Sequence, residues 1–365
     1  MNITFSSNDI CKTFGLVASI VPSSSLKHIL QGVKVEIKNG AVELVATDLE
    51  VLVKCVPSPK ACTGEGGIVL PAGRVNNILR EWANCGEVLL NGDGSSCVLK
   101  SKIGYFKLQG EDYKQFPVIN VSDIKEFVKV DGEIISGMIG KVVHAVSTMK
   151  ARSTLCGVFV KIDKEELVMV AADGNRLSIV KRKVDVCEAP TSGIVTVKCL
   201  TYLQRFVSEC KGVLKVGIGE SQIQFVGERG EVLSQLIDGH YPKYEDVIPK
   251  GNDKKISANK DELLSAVRMA SFMTSEGYRV VKFLLTKGRL TLSAKTADVG
   301  EAELGIDVEY DGPDFEISFN PDYVQDALKV SDNDTVLMEF GDSNSATIFR
   351  TGHEQLDVIM PVDIK

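Results

Sequence analysis

The sequence predicts an α+β protein made of three tandem copies of one unit, each with two helices packed on antiparallel sheets. Three observations predict it: a β-hairpin pattern that recurs about every 125 residues, an amphipathic stretch before each hairpin, and a strand-then-helix pattern after it.

The hairpins come first. Gly32-Val-Lys-Val-Glu-Ile-Lys-Asn-Gly40 followed by Val42 to Asp48 matches Gly157 to Asp163 followed by Leu167 to Asp173, and both Gly32/Gly157 and Asp48/Asp173 are 125 residues apart. A third copy runs Val281 to Gly288 into Leu290 to Ala294, with Ala294 lying 123 residues after Ala171. Apolar and polar residues alternate in each arm, and Asn39-Gly40 and Lys287-Gly288 supply the turn glycine.

The helices follow from spacing. Ile10, Phe14, Val17 and Val21 share one helical face, as do Ile135, Ile139, Val142 and Val146, with Leu263, Val267 and Ala270 as a weaker third set. Downstream, Gly67 to Leu70 precedes Val75, Ile78, Leu79 and Trp82; Gly193 to Val197 precedes Leu200, Leu203, Phe206 and Val207; Phe315 to Phe319 precedes Tyr323, Val324, Ala327 and Leu328. The units close on Phe116-Pro117, Tyr241-Pro242 and Met360-Pro361. Connectors near Ser122 to Asp131 and Lys250 to Lys255 mark the boundaries, giving domains 1–121, 129–249 and 252–365.

Composition narrows the function. With 44% hydrophobic and 25% charged residues, and no apolar run near the ~20 residues a bilayer requires, the chain reads as soluble and not membrane-bound. Nine cysteines, odd in number and without a CxxC pair, together with an N-terminus lacking a secretory pattern, predict free thiols in the cytoplasm. Four scattered histidines give no zinc spacing, so neither metal nor cofactor is expected. The net charge of −7 opposes simple electrostatic binding to nucleic acid but does not fix where the charges lie.

A tandem of sheet-bearing units leaves two strand edges to be paired, covered or charged. Ser101 to Gln109 and Thr291 to Leu304 are the expected edges; the first carries Lys102, Phe106, Lys107 and Leu108, the second Glu301 and Glu303, with Phe272 and Met273 nearby. Such complementary edges suit head-to-tail pairing with another copy, and equally suit protection against aggregation.

In order and spacing, Leu70-Pro71-Ala72, Gln109-Gly110, Ala172-Asp173-Gly174-Asn175-Arg176-Leu177, Asp238-Gly239-His240-Tyr241-Pro242, Val247-Ile248-Pro249, Phe319-Asn320 with Tyr323, and Val358-Ile359-Met360-Pro361 resemble the beta subunit of the bacterial replicative DNA polymerase, the DNA sliding clamp, over the whole chain. The resemblance implies three clamp domains per chain, closing as a head-to-tail dimeric ring with helices around duplex DNA, and no catalysis. The implied partners are double-stranded DNA, a second copy, the polymerase catalytic subunit, the ATP-dependent clamp loader, repair polymerases and mismatch-repair proteins. It implies DNA contacts at Ser24, Lys27, Lys150, Arg152, Lys198 and Arg205, with Lys141 among further inner charges, and a dimer interface that includes Arg74. It also implies a pocket for partner peptides formed by Leu155, Gly174, Arg176, Leu177, Pro242, Val247, Tyr278, Asn320, Tyr323, Val358, Ile359, Met360 and Pro361. Asn175, Asp246, Asn344 and the tail from Asp363 depart from the family's usual residues, as does the Ser23 to Ser25 loop, which lacks an arginine.

Two other classes compete. An enzyme is disfavoured because Gly217-Ile-Gly219 lacks the third glycine of a dinucleotide loop, and because Asp48 and Asp173, at equivalent positions, read as a shared turn instead of a catalytic pair. A scaffold that binds peptides but not DNA would keep the pocket without a ring.

Overall fold

In a computed structural model, which describes residues 1–120, 124–275, 277, 279–352 and 354–363, all six expected helices form. They are α1 (Ser7–Ala18), α2 (Ala72–Glu81), α3 (Gly132–Val142), α4 (Val197–Glu209), α5 (Lys260–Ser271) and α6 (Pro321–Lys329). The faces marked by spacing are buried at Ile10, Phe14 and Val17 in α1, Ile135, Ile139 and Val142 in α3, and Leu263, Val267 and Ala270 in α5, whereas Val21 and Val146 lie beyond the helix ends and are half-buried. Local chemistry sets the ends. The Asn259 side chain accepts the N–H groups of Asp261 and Glu262 at 3.0 and 3.1 Å to start α5, and Asn320 accepts that of Asp322 at 2.9 Å to start α6, with Pro321 opening the first turn.

The hairpins form as read in the first and third repeats. Strands Gly32–Lys38 and Ala41–Thr47 pair from Lys38↔Ala41, and Val281–Thr286 and Arg289–Thr296 pair from Thr286↔Arg289, each across a two-residue turn. Asn39 and Gly40 take φ of 50° and 77°, the left-handed geometry that right-twisted hairpin strands need. The central repeat keeps a left-handed residue at the matching place, Lys164 with φ 55°, inside the strand segment Gly157–Ala172.

The chain divides into two compact units, Met1–Ser136 with Val184–Leu236, and Gly137–Lys183 with Ile237–Lys365. This division differs from the three repeats because the central repeat shares its strands with both neighbours. In the first unit, Gly230–Gln235 pairs with Val51–Cys55, giving an eight-stranded sheet beside a five-stranded one. In the second, the start of Arg176–Thr196 pairs with Gln355–Ile359, giving a six-stranded sheet beside a four-stranded one. Within the first unit α1 packs against α2 and α4, and within the second α5 packs against α6. Ser122 and the two residues flanking it in the first connector, and the tail residues Ile364 and Lys365, lie outside the described residues.

Gly217 belongs to the strand Val213–Ile218, which runs antiparallel to Gln222–Gly227. No helix follows to bind a pyrophosphate, so the dinucleotide reading fails on topology.

Candidate functional site

The site is built around a turn that two repeats share. The Asp173 carboxylate accepts the N–H groups of Asn175 and Arg176 at 2.8 and 3.1 Å, and Asp48 accepts those of Glu50 and Val51 at 3.0 and 2.8 Å. These acids therefore hold turns. Gly174 has φ +97°, and a Cβ there would stand 2.1 Å from Nη1 of Arg152, which donates to the Asp173 carbonyl at 3.1 Å. Glycine thus serves both the backbone and the arginine laid across it.

Arg176 is the centre. Its Nε donates to Asp173 at 3.0 Å, Nη1 to Asp326 at 2.8 Å and Nη2 to the His144 carbonyl at 2.5 Å, while its guanidinium carbon lies 4.5 Å from the Tyr323 ring centroid. Only a planar fork satisfies these acceptors and stacks on the ring at once. Its backbone pairs with Ile359, Leu177 pairs with Val358, and the Met360 N–H donates to the Asn175 carbonyl at 2.8 Å. The terminal strand is so fixed beside the 173–177 turn. Asn320 and Tyr323 arrive on the start of α6, where Asp322 is ion-paired with Arg279.

The side chains divide into a floor and a rim. Leu177, Val358 and Ile359 are at most 3% exposed, the first two packed with Val168, Val170, Ile179, Tyr241, Tyr244 and Ile248. They back the site and offer little free surface, unlike the walls implied by the resemblance. Exposed apolar surface comes from Met360 and Val247, at 42% and 58%, with Pro242 also exposed and Leu155, Asn320, Tyr323 and Pro361 half-buried. Tyr278 lies outside the described residues.

Beneath Arg176 lies a polar knot that sequence reasoning missed. The wholly buried Asp357 carboxylate accepts hydrogen bonds from Ser178, from Thr351 at 2.8 Å and from Gln355 at 3.3 Å, and His144 Nε2 is 3.1 Å from the Ser178 hydroxyl. Burial pushes the Asp357 carboxyl up to about 6 against those hydrogen bonds, and burial with the nearby Arg176 charge pulls His144 down to about 4. The residue types resemble a hydrolase triad, but the serine bridges the other two and is 1% exposed, so no substrate reaches it. The one available signal was a lone acid inside the apolar run Leu356-Asp357-Val358-Ile359.

The residues implied as DNA contacts are not equally free. Ser24 and Lys27 are exposed, and Arg205 is exposed with its guanidinium 5.7 Å from the Tyr202 centroid. Lys198 is ion-paired to Asp48, whose own side chain is 7% exposed, so its charge is already partly used. Lys141 corrects an expectation: it is buried and ion-paired to Asp332. The side chain of Lys150 lies outside the described residues. A cleft of about 690 Å³ opens beside the Ser24 loop between Ser23, His28, Arg74 and Glu111, remote in sequence from the Arg176 site.

Among the described residues each expected edge segment contains the end strand of its sheet. Gly104–Gln109 ends the five-stranded sheet and Gly300–Asp307 ends the four-stranded one, whereas Arg289–Thr296 is paired on both sides, which corrects the placement of Thr291 at the edge. Phe106 and Phe272 are 45% and 59% exposed, Arg74, Lys107, Glu301 and Glu303 are exposed, and Leu108 and Met273 are half-buried. Phe106 rests against Trp82 at 5.4 Å between centroids, and Glu301 pairs with Lys295 at 2.8 Å.

Three domain models of the DNA polymerase III beta subunit match in order, the N-terminal at residues 1–120, the central at 129–243 and the C-terminal at 245–363. The chain belongs to the DNA polymerase III beta subunit family. Among its relatives, the beta sliding clamp of Chlamydia muridarum is 28% identical over 99% of both chains, and that of Pseudomonas putida is 26% identical over 99% of this chain and all of the other. A sliding clamp of Pseudomonas aeruginosa bound to griselimycin has a TM-score of 0.96 at 25% identity, and one of Bartonella birtlesii, also bound to griselimycin, 0.90 at 28%, each covering both chains completely. Asn175, Asp246 and Asn344 are all solvent-exposed.

Proposed function

We propose that the chain is a DNA sliding clamp: two copies close head to tail into a ring around duplex DNA and tether the replicative polymerase. The observation that carries this reading is the match of three clamp domains along the full chain, joined to two sheet-end strands at opposite ends of the sequence, one basic and apolar, the other acidic and apolar. The domains are assigned to 1–121, 129–249 and 252–365. Attraction of the exposed Lys27, Arg152 and Arg205 to phosphate, without base contacts, permits sliding while the closed ring prevents escape.

Partner docking is assigned to the Arg176 site. Met360, Val247 and Pro242 offer apolar surface to a short extended peptide, Arg176 and Asn320 sit beside it as polar groups, and the buried Leu177, Val358 and Ile359 keep the surface rigid. The clamp loader, repair polymerases and mismatch-repair proteins would share this site with the polymerase. The protein works in the cytoplasm as an accessory subunit with no catalytic residues of its own. Among the described residues no helix is long and apolar enough to cross a membrane, and no group of three or more His, Cys, Asp or Glu could hold a metal ion.

The test is a loading assay. With a compatible loader and ATP, the protein stays on nicked circular DNA and is lost after linearisation; equal retention on both forms would show ordinary binding and reject the ring.

A further inference from the structure

Two of the nine cysteines meet where the first repeat joins the central one. Cys55 ends the strand Val51–Cys55 and is wholly buried, and Cys210 caps the C-terminus of α4, half-exposed. They are neighbours through Arg229 and Gly230: the Arg229 carbonyl accepts the Val56 N–H at 2.8 Å, Arg229 and Cys210 line one cavity, and Gly230 pairs with Cys55. The contact is held from the backbone side by Gly230, which pairs with Cys55; a Cβ there would lie 2.0 Å from the Lys54 carbonyl and 2.9 Å from the Cys55 Cα, so the two strands approach as only glycine allows.

Cys210 also forms part of the wall of a cavity of about 230 Å³, shared with Asp9, Lys12, Glu209 and Arg229. That volume exceeds the ~30 Å³ share of one water several-fold, room for a small polar oxidant. Arg229 donates to Asp9 at 2.7 Å across it.

We propose that Cys210 and Cys55 are a peroxide-responsive thiol pair, in which Cys210 is oxidised from the cavity and Cys55 resolves it as a disulfide.

Electrostatics divides the roles in that order. The Cys55 thiol beside it, with the Arg229 charge, holds the Cys210 thiol below its ordinary value against burial and the Glu209 and Asp9 charges. The neighbouring Cys210 and burial push Cys55 well up, so it keeps its proton until its partner has reacted. The Cys210 thiolate attacks one oxygen of hydrogen peroxide, the O–O bond breaks, and the departing hydroxide takes a proton to become water. Cys210 is then a sulfenic acid. Cys55 gives up its proton as its sulfur attacks that of Cys210, and the sulfenic oxygen leaves as a second water. Overall two thiols and one peroxide become one disulfide and two waters. The bond would tie the first repeat's strand to the central repeat's helix, fixing a junction inside one arm of the clamp.

The test uses the full chain. After brief treatment with hydrogen peroxide, alkylation and digestion without reduction, mass spectrometry should find a peptide linking Cys55 to Cys210 as the main disulfide. In Cys55→Ser, dimedone should trap a sulfenic acid at Cys210 roughly tenfold more than at the half-exposed Cys62 or Cys85. If peroxide leaves Cys55 and Cys210 unlinked in the unaltered protein, or if Cys210 reacts no faster than Cys62 and Cys85, the pair has no such role. Should Cys55→Ser fail to fold, the linked peptide in the unaltered protein decides alone.

Discussion

The guanidinium carbon of Arg176 lies over the ring of Tyr323, 4.5 Å from its centroid, while the same group is ion-paired to Asp173 and Asp326. One side chain therefore joins the 173–177 turn to α6. Lysine cannot reproduce a stacked fork. Arg176→Lys is expected to cost about 2–3 kcal/mol, at or below the lower end for a broken buried pair because Asp326 keeps some solvent contact. Urea unfolding measures this, and no loss of stability would contradict the arrangement.

Partner affinity and stability should separate by residue. Met360→Ala removes exposed apolar surface, and a loss of about 1–2 kcal/mol in binding a polymerase tail peptide is expected with unfolding unchanged. Leu177→Ala hollows the floor and should cost about 2–5 kcal/mol of stability. Calorimetric titration beside denaturation tells them apart, and an unchanged peptide affinity for Met360→Ala would remove it from the site.

Asp357 and His144 predict opposed pH dependences. Between its ordinary value of 3.8 and about 6, folded Asp357 keeps a proton that the unfolded chain has released, so its contribution falls as pH rises through that interval. Folded His144 lacks, between about 4 and its ordinary 6.5, a proton that the unfolded chain binds, so its contribution rises with pH there. The two slopes offset each other in the unaltered protein. Asp357→Asn removes only the first, so its unfolding free energy should climb more steeply from about pH 4 to about pH 6 than that of the parent. Parallel pH profiles would mean that Asp357 does not titrate in this window.

The two end strands predict self-association. Phe106→Ala with Phe272→Ala removes an exposed aromatic near each edge, and dimer affinity should fall by about tenfold or more, since central aromatics often contribute ~2 kcal/mol. Sedimentation equilibrium reads this directly. A parent protein that stays at the 39.6 kDa of one chain at micromolar concentration would count against pairing altogether.

Much of this molecule was legible in its sequence because its signals are periodic. Ile10, Phe14 and Val17, or Val281 to Thr286 against Arg289 to Thr296, declare their faces by spacing alone, and the shared turn at Asp48 and Asp173 was legible from its repetition. What stayed hidden depends on partners distant in the chain. Nothing local marks Lys141 as buried, since its charge is met by Asp332, 191 residues away. The union of the central repeat's strands with both neighbours rests on pairings such as Gly230 with Cys55, and the knot at Asp357 on Ser178 and His144. Which of the residues implied for the peptide site are buried and which exposed was not legible, because burial is set by the strand that covers them.

The account turns on two chains enclosing a double helix, and imaging the protein by electron cryo-microscopy after loading on duplex DNA tests it most directly. The account predicts a closed ring of two copies, joined between the Gly104–Gln109 edge of one and the Gly300–Asp307 edge of the other, with duplex density through its centre. An open assembly, or a channel too narrow for the duplex, would contradict it.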